Sequence, residues 1–225
     1  MARFMLVSEY DFSRYASDVL QLTQSPSPHI VYIGDNDERF AAFRNGFSAF
    51  VCYVTRLSFC EKASLSDADI VVVDTTNAAK LMRQIRKYDI DCLLSQSAKT
   101  DAVLCGVGEG GICLCDYGVS ATDRMEYHRV RGLGLLSMVY CPHCLEQSQR
   151  TGWLKAVMQR TPRVTGLAVD HAAVLLSEDN YRTMSYAESA RVRKCYWYKR
   201  QYYTENVKSS EWHIVSKLLC KGDCR

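Results

Sequence analysis

Short runs of apolar and β-branched residues recur along the first half of the chain, with amphipathic segments between them. Segments 36–50 and 77–88 carry apolar residues at three- and four-residue spacing, which predicts crossover helices. The apolar runs predict strands buried on both faces, as in a parallel sheet, at residues 4–8, 29–34, 49–55, 69–74 and 102–107. The first half therefore predicts a doubly wound α/β sheet.

The second half has a different pattern. Residues 145–161 predict a helix, while 163–176 and 191–207 predict strands and hairpins, and 217–225 a short terminal helix. Because no repeat or low-complexity linker interrupts the chain, we expect a single domain over residues 1–225. The predicted fold class is a three-layer, doubly wound α/β fold. Its sheet is mostly parallel, with helices on both faces and a C-terminal β-hairpin.

Composition narrows the function classes. The chain has 225 residues, of which 48% are hydrophobic and 24% charged, as in ordinary globular proteins. It has no apolar run of membrane-spanning length and no signal-peptide core, so we expect a cytoplasmic protein. We expect most of its eleven cysteines to be reduced and buried. The net charge of +3 is too small to imply a nucleic acid or an anionic membrane as partner.

A glycine-rich stretch follows the last strand predicted in the first half. A strand, a sharp turn and a helix form a nucleophile elbow, in which flanking glycines let the backbone push one side chain outward. Gly106 and Gly110 supply that frame, but the outward position is Gly108, which has no side chain. A second string, "GVSAT", contains Ser120. We expect Ser120 to lie in a loop after the helix, where no strand launches it, so it is not the predicted nucleophile.

Several segments in this order resemble the dipeptidase E family, the α-aspartyl dipeptidases, over nearly the whole chain. The family's elbow typically reads G-V-S-A-G-A-I-C-W, and residues 106–114 fall on it without a gap, with Gly108 in place of the serine. The resemblance implies a fold similar to class I glutamine amidotransferases. It also implies hydrolysis after an N-terminal aspartate by serine, histidine and an acid, without metal or cofactor.

A second family motif, G-G-G-N-T, lends a backbone N–H to the oxyanion hole and corresponds to residues 74–78, "DTTNA". The resemblance therefore places oxyanion-hole positions at Thr75, Thr76 and Glu109 and a possible ligand contact at Asn77. All three glycines are replaced, and threonine resists the positive φ that glycine allows. We also expect the Glu109 carboxylate to repel a developing oxyanion.

The base and the acid of the triad have matches too. The family's catalytic histidine lies in a P-H motif after G-L-G-L, which corresponds to His143 after residues 132–135. Asp123 lies near the position of the acidic partner, and Asp170 matches a later acidic position that is a possible ligand contact. The resemblance thus implies that His143 and Asp123 are remnants of a triad whose nucleophile is missing.

Cys141 and Cys144 raise an alternative, because their C-x-x-C with a Pro-His interior looks like the active site of DsbA-type oxidoreductases. Too little chain follows before the next proline for the helix and strand that such a fold requires. A zinc site is disfavoured because ligands this close are not independent. Residues 191–203 mix basic and aromatic residues. They predict either a stacking surface for single-stranded nucleic acid or, as we favour, a charge-protected edge hairpin.

Three functional hypotheses follow. The first is a non-catalytic homologue that binds a small acidic ligand or a protein partner. The second is a hydrolase, a dipeptidase after N-terminal aspartate, with relocated chemistry on Ser120, Glu109 or a cysteine near His143. The third is a thiol-disulfide oxidoreductase using Cys141 and Cys144. We expect no metal, cofactor, nucleic acid or membrane partner, and a monomer or homodimer.

Overall fold

A computed structural model describes residues 3–60, 63–121, 126–144, 148–161, 163–207 and 210–219. The strands are β1 (Arg3–Val7), β2 (His29–Ile33), β3 (Tyr53–Arg56), β4 (Ile70–Thr75), β5 (Val103–Gly108), β6 (Cys115–Ala121), β7 (Tyr127–Arg131), β8 (Leu136–Pro142), β9 (Thr165–Asp170), β10 (Ala172–Leu176), β11 (Asn180–Ser185), β12 (Arg191–Tyr198), β13 (Gln201–Asn206) and β14 (His213–Ile214). The α-helices are α1 (Ala16–Leu20), α2 (Asp37–Phe47), α3 (Ala78–Lys87), α4 (Ile90–Ser97), α5 (Gly110–Leu114), α6 (Ser148–Arg160) and α7 (Val215–Leu219). A short 3-10 helix spans Phe12–Arg14.

The described strands form two sheets. The eight-stranded sheet has the order β14-β11-β10-β1-β5-β4-β2-β3. Its last five strands in this order, β1, β5, β4, β2 and β3, are parallel to one another. These five are the strands predicted from the first half. The six-stranded sheet has the order β13-β12-β9-β8-β6-β7, with parallel pairing among β9, β8 and β6. The chain is therefore an α/β protein with two mixed sheets.

Alternating side chains of the parallel strands pack into two different hydrophobic cores, one on each face of the sheet. Met5 and Val7 of β1 pack with Phe43 and Phe47 of α2 on one face of the eight-stranded sheet. Leu6 packs on the other face, in a core that also contains residues of α3, α5 and the six-stranded sheet. A third core lies between the far face of the six-stranded sheet and α6. Helices thus cover both faces of the parallel series, as a strand with apolar residues on both sides requires.

The predicted α/β class, the parallel series and the C-terminal hairpin of β12 and β13 are confirmed. We predicted one sheet, and the second is an addition that the pattern does not reveal. Apolar periodicity identifies a strand and its buried face but does not identify its partner. No helix among the described residues is long and apolar enough to span a membrane.

Candidate active site

The strand, turn and helix predicted around Gly108 are present. Gly108 ends β5 with a φ of +53°, in the left-handed region that side chains rarely adopt, and α5 begins two residues later. The flanking glycines are required by packing. A Cβ on Gly106 would lie 2.4 Å from the Cα of Gly111, and a Cβ on Gly110 would lie 2.0 Å from the carbonyl oxygen of Val73. The predicted strand, tight turn and helix are therefore present, and Gly108 offers no side chain at the outward position.

Tyr10 fills the space beside this elbow. A Cβ on Gly108 would lie 2.9 Å from the Tyr10 Cε1 atom. The same ring stacks on His143, with 4.5 Å between ring centroids and 13° between ring planes. One aromatic ring thus contacts both the vacant nucleophile position and the predicted catalytic histidine.

The Tyr10 ring is held at the carboxyl ends of the strands by its neighbours. The Glu9 carboxylate accepts the backbone N–H groups of Tyr10 and Asp11, and it lies 3.4 Å from His171 Nδ1. The Arg39 guanidinium lies over the ring, 4.8 Å from its centroid. Partial burial, and next the Glu109 carboxylate, raise the pKa of the Tyr10 phenol above its ordinary value. Tyr10 is therefore a neutral ring near pH 7 and not an activated nucleophile.

His143 lies in the turn after β8, with a positive φ of 49°. Its backbone N–H donates to the carbonyl of Val169 at 2.9 Å and to the Ser8 hydroxyl at 3.1 Å, which fixes the turn against β9 and the end of β1. The side chain is buried. Asp123, the predicted acidic partner, lies outside the described residues. Asp170, the possible ligand contact, is buried at the end of β9.

The turn that corresponds to the oxyanion-hole motif has a different construction. Neither Thr75 nor Thr76 has a positive φ. The Thr75 hydroxyl instead accepts the N–H of Asn77 at 3.0 Å, and Asn77 caps α3 by accepting the N–H of Lys80 at 3.0 Å. The turn is thus built on a threonine hydroxyl, and the asparagine has a structural role.

Asp74, at the first glycine position of that motif, forms a buried ion pair. Its carboxylate accepts from Arg39 through Nε at 2.8 Å and through a terminal nitrogen at 2.5 Å. It also accepts the hydroxyl of Tyr32 at 2.6 Å. A bidentate pair of this kind is rigid, so it fixes the Arg39 guanidinium over the Tyr10 ring. It also means that Arg39 is already paired with a carboxylate.

Glu109 differs most from its expected role. Its buried carboxylate accepts the N–H of Ala78 at 3.0 Å, the N–H of Ala121 at 3.1 Å and the Ser120 hydroxyl at 2.5 Å. The guanidinium of Arg150, also buried, completes the set. That Glu109 would repel an oxyanion stays a prediction, and the structure adds that its carboxylate is paired with a buried cation. It also takes a backbone donor, the Ala78 N–H, from the turn that the resemblance relates to an oxyanion hole.

The prediction that Ser120 lies in a loop was wrong. It lies on β6, where it pairs with His128 of β7, and it is fully buried. The string "GVSAT" has the appearance of a turn motif, but its residues 118–121 belong to strand β6. The Ser120 hydroxyl donates to the Glu109 carboxylate, and its burial keeps it away from a substrate.

The C-x-x-C pair is equally inaccessible. Cys141 lies on β8 and pairs in register with Ala168 of β9, and both Cys141 and Cys144 are fully buried. Burial raises the pKa of the Cys141 thiol well above its ordinary value. The contact with the Cys141 thiol lowers the pKa of Cys144, but a disulfide exchange site needs an exposed thiolate, so the burial of both cysteines opposes the oxidoreductase alternative. Within the described residues, no three His, Cys, Asp or Glu side chains are grouped as a metal site.

Three residues that shape the site were not predicted from the sequence: Tyr10, Arg39 and Arg150. Each comes from an element distant in the chain from the elbow motif. The sequence does contain one signal for Arg150. This residue lies on the face of α6 that also carries Leu154 and Val157 of the third core. A buried arginine on an apolar helix face requires a carboxylate partner.

Comparison with known proteins gives the family. The model for peptidase family S51 matches residues 8–184. The chain is 22% identical over 185 residues to the uncharacterized peptidase YgaJ of Bacillus subtilis (strain 168), covering 77% of this chain and 80% of that protein.

Two crystal structures share the fold. A peptidase from an acI-B1 Actinobacterium superposes with a TM-score of 0.65 and 12% identity, over 95% of this chain and 97% of that one. A putative peptidase E protein from Listeria monocytogenes EGD-e superposes with a TM-score of 0.62 and 12% identity, over 83% of this chain and 100% of that one. Because the family model covers most of the sequence and the fold agrees, the chain belongs to peptidase family S51, the dipeptidase E family.

Proposed function

We propose that this chain is a non-catalytic member of peptidase family S51 that acts by binding a protein partner. The observation that carries the proposal is the position of Tyr10, whose ring contacts both Gly108 and His143. Hydrolysis of the kind that the resemblance implies needs a nucleophile, a base within reach of it, and free donors for the oxyanion. The nucleophile is missing, and an aromatic ring takes the space through which the base would reach it.

The neighbourhood of the oxyanion hole supports the same conclusion. The Ala78 N–H, at the last position of the motif, already donates to the Glu109 carboxylate. Thr75 and Thr76 lack the positive φ that glycine would allow. Restoring catalysis would therefore require several changes at once, and not only a serine at position 108.

A small acidic ligand is less favoured than a protein partner. Such a ligand needs a cation that is free to pair with it, and the cations around the elbow are occupied. Arg39 is paired with Asp74, and Arg150 with Glu109. Lys80 lies 2.8 Å from an Asp35 oxygen. A carboxylate ligand would have to break one of these pairs, whereas a protein surface could contact the 40% of Tyr10 that is exposed.

Relocated hydrolase chemistry has no supporting observation. Ser120 is buried and bonded to Glu109, and Glu109 is itself paired with Arg150. Cys141 and Cys144 are buried in the third core. None of the residues that this alternative invokes is accessible to a peptide.

The test is release of free aspartate from aspartyl dipeptides by the purified protein, compared with a His143→Ala variant. We expect no release above that of the variant, and no heat of binding when the same dipeptides are titrated in a calorimeter. Release by the wild type that His143→Ala abolishes would overturn the non-catalytic assignment. Saturable dipeptide binding without turnover would keep that assignment but replace the protein partner with a small acidic ligand.

A further inference from the structure

A cationic surface lies at the edge of the six-stranded sheet, away from the elbow. Strands β12 and β13 form a hairpin in which Tyr198 pairs with Gln201, so the loop between them is Lys199-Arg200. Both loop residues have a positive φ, 47° for Lys199 and 66° for Arg200. Two-residue loops of this geometry favour Asn-Gly, because side chains resist positive φ. This chain places two long cations there.

A groove runs between the hairpin tip and α6. It has a volume of about 440 Å³ and is lined by Gln159, Trp197, Lys199 and Arg200. We call it the hairpin groove. Beside it, the ring of Tyr202 lies 5.6 Å from that of Trp197, measured between centroids. The Lys155 Nζ atom lies 5.8 Å from the centroid of the Tyr202 ring. Trp197 thus lines the groove together with two cations, and Tyr202 and Lys155 lie next to it.

The charge of this groove is unbalanced. Lys155, Lys199 and Arg200 have no carboxylate within ion-pair distance among the described residues. The hairpin's acid, Glu205, accepts the hydroxyl of Tyr196. Because side chains alternate along a strand, Tyr196 and its cross-strand neighbours point to the face opposite Trp197. The groove therefore presents positive charge that no described residue neutralises.

The groove also has polar groups that could recognise a ligand. The Trp197 Nε1 atom is buried and lacks a hydrogen-bond acceptor in the described part of the chain. The Gln159 amide lines the same cavity and can both donate and accept. Aromatic faces, amide groups and cations together suit a planar heterocycle that carries a phosphate.

We propose that the hairpin groove binds a nucleotide unit, with the base against Trp197 and Tyr202 and the phosphate near Lys199, Arg200 and Lys155. The volume suits one nucleotide. The unit could come from a single strand or from a free mononucleotide, which share this chemistry. The sequence-based expectation of no nucleic acid depended on net charge, whereas binding depends on the local charge at a surface. This proposal does not depend on the state of the elbow.

Binding of a single strand is measured by the fluorescence anisotropy of a fluorescein-labelled poly-thymidine oligonucleotide. Binding of a free nucleotide is measured by the quenching of tryptophan fluorescence on addition of thymidine monophosphate. We expect the combined variant Lys199→Asn with Arg200→Gly to weaken oligonucleotide binding about tenfold or more at low salt. Because Asn-Gly suits the positive φ values, this variant should melt at the wild-type temperature or above it, which separates binding from folding.

The matched control is Arg44→Gln with Arg83→Gln, two exposed residues on α2 and α3 that remove the same charge elsewhere. We expect it to change affinity less than about twofold. Binding of the oligonucleotide alone would identify the single strand as the source, and binding of both probes the nucleotide unit itself. Absence of binding by both probes would overturn the proposal. So would equal weakening in the control, or competition by poly-glutamate as strong as that by the oligonucleotide.

Discussion

Two turns at the carboxyl ends of adjacent strands are built in different ways. Both correspond to glycine-rich motifs of the family that the sequence resembles, residues 106–111 after β5 and residues 74–78 after β4. The first turn keeps its flanking glycines, whereas the second has none. The difference follows from packing, because another backbone lies against Gly106 and Gly110 but the Thr75 turn is stabilised by its own hydroxyl.

The comparison separates two reasons for a glycine. Where neighbouring backbone atoms leave no room for a Cβ, any other residue would force the backbone to shift. The glycine is then required whether or not the turn has a catalytic role. Where glycine served only to present a backbone donor, a side-chain network can replace it. The Glu109 carboxylate now holds the Ala78 N–H, and Asn77 caps α3. The two turns thus depend on different interactions, backbone packing in the first and side-chain hydrogen bonds in the second.

The largest expected effect comes from the buried pair that joins the two turns to α6. Arg150→Met leaves the Glu109 carboxylate buried without a counter-charge, and we expect it to lower the free energy of unfolding by about 3–5 kcal/mol. Urea denaturation measures this loss. Combining Arg150→Met with Glu109→Gln should recover part of it, since no charge remains buried and the amide oxygen still accepts hydrogen bonds from the neighbouring donors. A loss under about 1 kcal/mol in the single variant would contradict the account of Glu109.

Gly110→Ala tests the packing requirement of the first turn. Its Cβ would lie 2.0 Å from the carbonyl oxygen of Val73, so a backbone must shift, and we expect a loss of about 2–3 kcal/mol in urea denaturation. The matched control is Gly152→Ala in α6, where nothing lies within 4 Å. That substitution should stabilise the protein by about 0.5–1 kcal/mol. Similar changes in stability at both glycines would break the comparison.

Thr75→Gly tests the second turn, where we expect a smaller effect. If the threonine turn is an unstrained replacement, glycine removes the hydroxyl that accepts the Asn77 N–H and adds backbone entropy to the unfolded state. The free energy of unfolding should then fall by about 1 kcal/mol in the same denaturation experiment. A gain in stability would mean that the threonine is strained, and that the turn still prefers the glycine conformation.

Much of the fold could be predicted from the sequence, because parallel strands buried on both faces leave a continuous apolar run. Residues 69–74 predicted β4 to within one residue. Residues 49–55 predicted β3 too early, since β3 begins at Tyr53 and its first residue is exposed at the edge of the sheet. Helix α4 was missed because it spans only eight residues, which are too few to show a clear helical period. The second sheet depends on partners that periodicity does not specify.

The site divides in the same way. The elbow could be predicted because its glycines, its strand and its helix are consecutive in the chain. Tyr10 and Arg150 could not, because each reaches the elbow from an element far away in sequence. We predicted a loop at Ser120 because it follows the elbow helix with no strand before it, whereas pairing with β7 and burial decide its conformation. Tertiary packing overrides local propensity at such positions.

The central claim is that Tyr10 occupies the space beside Gly108 that a nucleophile would need. A double-mutant cycle of Gly108→Ala and Tyr10→Ala, measured by urea denaturation, tests it most directly. We expect Gly108→Ala to lower the free energy of unfolding by about 2 kcal/mol in the wild type, from the positive φ and the contact with the ring. In the Tyr10→Ala background we expect only about 1 kcal/mol, from the positive φ alone. An equal loss in both backgrounds would contradict the claim.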